Sequence, residues 1–213
     1  MFTVTPRAAA GGFTLLELMV VLAVTGILLA VGVPRMTSWT LATKAAAAGE
    51  LYADGFRLAR QQALGHNAAS RIVLTPDAVN GQLDWQVDIC FPTPVVPCSD
   101  VSGSWSTTLA IAAGDPEGDT GYKSVFRPAT ALPQAEVLQP TLLPEGSTGA
   151  YFTSLGWVNT GIAGYLTRIE LVPTAAYRSQ LQATAVVLNL AGTAVKCNPD
   201  AAIAAADSRA CPP

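Results

Sequence analysis

The sequence predicts an α+β protein in which one long N-terminal helix precedes an antiparallel β-sheet. Three observations point there. An apolar run from Phe13 to Val33 leads into the alanine-rich, proline-free segment Met36 to Leu64. Beyond His66 the apolar spacing changes from three-and-four to short alternating runs bounded by turn residues. Charged residues make up only 13% of the chain, and its 18 glycines and 15 prolines supply the turns that a β-rich domain with long loops needs.

Within the run from Phe13 to Val33 only Thr14, Glu17 and Thr25 carry polar side-chain groups. As a helix it would span roughly 30 Å, the thickness of a hydrocarbon core. A secretory signal does not fit, because its apolar core is about 7–15 residues and ends in small residues. Here the run ends in Val33-Pro34-Arg35-Met36. An ordinary membrane anchor fits no better, since it needs neither Glu17 nor the preceding Gly11-Gly12. A carboxylate at that depth is costly, and the expectation is a functional group with a partner.

In order, Gly12-Phe13-Thr14-Leu15-Leu16-Glu17 resembles the processing site of type IV prepilins and type II secretion pseudopilins. The resemblance implies a cut after Gly12 by prepilin peptidase and methylation of the new N-terminus, Phe13. It also implies that Glu17 pairs with the terminal amine of a neighbouring subunit as each chain enters a filament. Physics supports this role: a buried carboxylate is tolerable when it meets a cation that is itself leaving water. The implied organisation is a leader over 1–12, a transmembrane half-helix over 13–34, an amphipathic half-helix over 35–66 and a β-rich periplasmic domain over 67–213. The implied location is the inner membrane, single-pass, and then a filament. The implied partners are membrane lipid, an assembly platform, and other minor and major pilins or pseudopilins.

Arg7, the only basic side chain of the leader, gives a weak positive-inside signal. Pro34 is expected to kink the helix rather than end it. Further on, Leu51, Gly55, Leu58 and Gln62 fall near one line, with Tyr52, Phe56, Ala59 and Ala63 beside it. Glu50, Asp54, Arg57, Arg60 and Gln61 form the polar side of this amphipathic helix. Gly65 before His66-Asn67 reads as the C-terminal stop, giving one helix of about 50 residues.

Strands are expected at Arg71 to Leu74, then at Asp84 to Cys90, where Trp85, Val87 and Ile89 alternate with Gln86 and Asp88. Between Ser99 and Gly149 the signal weakens, leaving Leu109 to Ile111 and Ser124 to Phe126. Ala150 to Thr153, Tyr165 to Val172, Ala183 to Leu190 and Thr193 to Cys197 complete the set. Leu190 to Thr193 reads as a hairpin turn in which Gly192 takes a positive φ. Gly49 to Leu74, and with less force Ala150 to Trp157 and Ala185 to Cys197, resemble the GspH/FimT branch of minor pseudopilins and minor pilins. The resemblance does not extend over 77–149.

The four cysteines, Cys90, Cys98, Cys197 and Cys211, allow three pairings. In an oxidising periplasm the sequence-local ones are favoured, each closing a proline-containing loop, with free thiols as the alternative. Neither pair has zinc-type spacing, so no metal and no cofactor are expected. Catalysis is disfavoured: His66 is the sole histidine, nothing near it marks a nucleophile, and a capping or solvated role suits it better. Asp115, Glu117 and Asp119 lack EF-hand spacing and read as a solvated turn rather than a calcium loop.

Nucleic acid is a disfavoured partner. The net charge is -3, and the loss of Arg7 makes the processed chain more acidic. FimT-like relatives that take up DNA carry arginines after the final hairpin glycine, where this chain has only Lys196. Arg127, Arg168, Arg178 and Arg209 add to a basic surface only if the fold brings them together. The expected role is therefore assembly, as a minor type IV pilin that helps initiate or cap a pilus. The same residues suit a minor pseudopilin of type II secretion. A reading of another class is an anchored periplasmic binding module that recognises its ligand, such as DNA during uptake, through 77–149.

Overall fold

A computed structural model describes residues 14–93, 95–200 and 207–212. The predicted leader over 1–12, with Gly12, and the predicted N-terminus Phe13 lie outside the described residues. The chain divides into two units, Met1–Thr40 and Leu41–Pro213. A single helix, α1 (Leu15–His66), starts in the first unit and passes Pro34 without ending. Its side chains from Leu15 to Val33 are all exposed.

In the second unit α1 buries one face. Ala45, Ala48, Tyr52, Phe56, Ala59 and Ala63 recur at spacings of three and four and are shielded from water. Small residues let the sheets come close. A Cβ on Gly55 would lie 2.6 Å from Ile72 Cδ1, and one on Gly49 would lie 3.0 Å from Thr184 Cγ2. The helix ends at His66, the expected bound, and the left-handed residue that closes it is Asn67 rather than Gly65. Asn67 takes the left-handed conformation (φ 47°), Ala68 N–H reaches Ala63 O at 3.2 Å, and Asn67 N–H reaches Leu64 O at 3.5 Å. This is a Schellman cap, for which asparagine is the usual second choice after glycine.

The antiparallel β-structure forms two four-stranded sheets, where the sequence reading expected one. The first has the order β3-β2-β1-β5, with β1 Ala69–Pro76, β2 Leu83–Cys90, β3 Val125–Arg127 and β5 Gly149–Phe152. The second has the order β4-β6-β7-β8, with β4 Leu138–Leu143, β6 Arg168–Pro173, β7 Thr184–Leu188 and β8 Ala194–Cys197. Ile72 faces Val87 and Leu74 faces Trp85 across β1 and β2, and Ile169 faces Val186 across β6 and β7. These residues, with Leu166 and Leu171, share one core with the buried face of α1.

Polar ties fix the helix to this core. Trp85 Nε1 donates to Leu51 O at 3.0 Å, and the buried Ser70 hydroxyl donates to Ala59 O at 2.6 Å. The Tyr52 hydroxyl accepts the Leu83 N–H at 3.2 Å. Buried Gln82 donates to Pro133 O and Leu138 O at 2.8 and 2.7 Å, joining the end of β1–β2 to the start of β4.

In the middle of the chain one expected strand is absent and one unexpected strand forms. Leu109 to Ile111 is not a strand. It belongs to a turn in which the Thr107 hydroxyl accepts the Ala110 N–H at 2.9 Å. β4 went unpredicted because Pro140 interrupts its sequence, yet β4 is an edge strand, where proline is tolerated. The strands expected at 124–126 and 165–172 form a little later, at Val125–Arg127 and Arg168–Pro173.

Candidate functional site: the exposed apolar helix and its glutamate

Thr14 opens α1 as its N-cap. Its Oγ1 accepts the Glu17 N–H at 3.2 Å, and its carbonyl accepts the Leu18 N–H at 3.2 Å. Thr14-Leu15-Leu16-Glu17 therefore has the T-x-x-E spacing of a capping box, a signal present in the sequence but not read from it. Glu17 lies in the first turn, where the helix dipole favours a negative charge. Its side chain is exposed, and no described residue pairs with the carboxylate.

Around Glu17 the surface is almost wholly apolar. Leu15 is 76% exposed, and Leu22, Ile27, Leu28 and Leu29 are similarly bare. Among the described residues this is the one helix long and apolar enough to cross a membrane. Gly26 and Gly32 have nothing near the positions a Cβ would take, so they leave notches where another helix could approach closely. Chemically, this segment can partition into lipid or pack against other apolar helices.

The remaining candidates fall in the second unit. Lys196 of β8 forms an ion pair with Glu50 of α1, and Arg57 reaches the same carboxylate at 3.3 Å. Hydrogen bonding from Lys196, with Arg57 beside it, holds the Glu50 carboxyl below the usual carboxylate range. Lys196 is thus neutralised within the chain, and no other lysine or arginine lies between Gly192 and Cys197. Gly192 takes the positive φ expected of the hairpin turn (79°) and packs against Gly156 O.

The four arginines do not form one basic surface. Arg178 and Arg209 share a cavity with Glu170 and Asp200, and Arg168 reaches Glu170 at 3.3 Å. Arg209 binds Asp207 at 2.8 Å, and that contact lowers the Asp207 pKa to about 2. Arg127 lies at a different cavity, beside Arg57 and Trp85.

His66 packs 5.4 Å from the Tyr122 ring at the end of α1. Asp115 is not the solvated residue that was expected. It is 9% exposed, and its carboxylate accepts the N–H groups of Glu117 and Tyr122 at 2.9 and 3.1 Å, folding the loop onto itself. Glu117 and Asp119 stay exposed. Disulfides join Cys90 to Cys98 and Cys197 to Cys211.

Residues 7–33 match the family model described as the prokaryotic N-terminal methylation motif. That motif is the signal of type IV pilins and pseudopilins, chains processed by prepilin peptidase, and it supports that class here. With the exposed apolar helix, it fits a protein anchored in the inner membrane. The match covers the N-terminal segment alone. No curated protein and no solved structure matches the chain.

Proposed function

We propose that the chain is a minor pilin of the GspH/FimT branch that helps initiate or cap a type IV pilus, acting by assembly rather than by catalysis. The observation that carries this reading is the methylation motif on a helix with every side chain from Leu15 to Val33 uncovered. Such a surface needs lipid before assembly and other helices after it. Glu17 is the group whose pairing changes between those two solvents.

The test is the intact mass of the membrane-extracted chain from cells with and without prepilin peptidase. Loss of Met1 to Gly12 plus one methyl group, only when the peptidase is present, is the expected result. A mass that keeps the leader in both strains would overturn the reading and favour an anchored binding module. Deleting the gene then separates the two filament machines. Loss of surface pili with normal secretion supports the minor pilin, and the reverse supports a minor pseudopilin of type II secretion.

A further inference from the structure

An open groove of about 420 Å³ lies between α1 and the β2–β3 side of the first sheet. Leu51, Arg57, Leu58 and Gln61 of α1 line it, with Trp85 of β2 and Arg127 of β3. Trp85 and Arg127 are directly opposite in the β2–β3 register, so both side chains lie on the face of the sheet that α1 covers. β3 is an edge strand of its sheet, and among the described residues no further strand pairs with it.

The two arginines differ. Arg57 is held by Asp54 at 2.6 Å and Glu50 at 3.3 Å. Arg127 is exposed and has no carboxylate partner among the described residues. A guanidinium presents a planar fork of donors that matches a carboxylate with two parallel bonds. Beside it the groove offers two half-buried leucines, Leu51 and Leu58, so it suits an acidic side chain accompanied by an apolar one. Asp54 lines the same groove and Glu50 stands next to Arg57, which makes the site unfavourable for a run of phosphates.

We propose that this groove docks a short acidic and apolar peptide segment of a neighbouring filament subunit. Arg127 takes the carboxylate, and the half-buried Leu51 and Leu58 receive the apolar side chain. That the peptide belongs to a filament subunit rests on the assembly reading above, because helices that must cover one another bring neighbouring domains alongside. The chemistry of the groove does not depend on that reading.

The experiment uses the full chain in detergent and follows the Trp85 indole signal by NMR. The probes are acetyl-Leu-Glu-Leu-amide, its glutamine counterpart and a short single-stranded oligonucleotide. The glutamate peptide is expected to shift the signal, with affinity falling about tenfold for the glutamine peptide as a charge-assisted bond is lost. Arg127→Gln should lose the same preference, while Arg178→Gln, at the other cavity, should keep it. Circular dichroism confirms that each variant is folded. Equal binding of the two peptides, an unchanged preference in Arg127→Gln, or a response to the oligonucleotide alone would overturn the proposal. Peptide binding by a chain that keeps its leader in cells would sink the filament reading and leave the groove standing.

Discussion

Arg71 Nε donates to Asp88 Oδ2 at 2.8 Å, with the Asp88 side chain almost wholly buried and the Arg71 guanidinium lying 4.3 Å from the Trp105 ring. Trp105 Nε1 in turn donates to Ser99 O and Ser102 O at 3.0 and 3.2 Å. The ion pair therefore links β1 and β2 to the turn that follows the Cys90–Cys98 loop. If Arg71 is replaced by methionine, the carboxylate keeps only the Gln86 amide, which donates at 2.7 Å. Breaking a buried pair in this way destabilises by about 3 kcal/mol. Asp88→Asn removes the charge as well and should cost about 1–2 kcal/mol. Urea unfolding of the two variants checks the order, and Arg71→Met proving the milder would count against a buried, paired carboxylate.

Gly55 and Gly65 lie on the same helix, and an added methyl group should have opposite effects at the two positions. At Gly55 it meets Ile72 Cδ1 at 2.6 Å and the Trp85 ring at 3.2 Å, so the buried Ile72 side chain or α1 itself has to shift. Gly55→Ala should destabilise by about 1–3 kcal/mol, the range for overpacking a core. At Gly65 nothing lies within 4 Å, and alanine should stabilise the helix by about 0.5–1 kcal/mol. Thermal unfolding of both variants gives the comparison, and loss of stability at Gly65 would contradict its open surroundings.

The features legible in the sequence were local ones. Trp85 and Val87 share the core with α1 and Ile89, on the same face of β2, packs with Ala68 and Ala112, so the alternation survives in the order of the residues. The Gly12 to Glu17 motif is equally local. What stayed hidden depends on contacts between distant residues. Lys196 reads as the one cation of its hairpin until the fold brings Glu50 to it from 146 positions away. Arg127 joins Arg57 at a groove only because β3 pairs with β2. Two sheets replace one because β6, β7 and β8 pair among themselves and with β4, not with the first sheet, and no residue of these strands announces its partner.

Alkaline pH should loosen the domain through its buried tyrosines. Burial pushes the Tyr122 hydroxyl from the ordinary value of 10.0 up to about 12, and it pushes Tyr52 higher still. A phenol with a raised folded-state pKa favours the protonated native form. Its contribution is complete below the unfolded pKa and is lost as pH rises through the folded one. Stability should therefore hold up to about pH 10 and fall between about 10 and 12. Tyr122→Phe should flatten part of that slope, at the expense of the hydroxyl's bond to Val87 O at 3.3 Å. An identical slope in the variant would remove Tyr122 from the account.

Glu17 has two roles open to it, and they predict different things. As the third residue after the Thr14 cap, it satisfies the capping-box pattern at the start of α1. In that role glutamine serves as well as glutamate, since either can reach back to the cap. As the partner of an incoming terminal amine, it must carry charge, and glutamine would leave that cation unpaired in an apolar bundle. Glu17→Gln should therefore preserve the helix, membrane insertion and removal of the leader, yet block entry into filaments as completely as Glu17→Ala. Sheared filament fractions and membranes, blotted side by side for the two variants, decide between the roles. Normal incorporation of Glu17→Gln would reduce the residue to a helix cap. Loss of incorporation in both, with both still processed and in the membrane, would tie assembly to the charge itself.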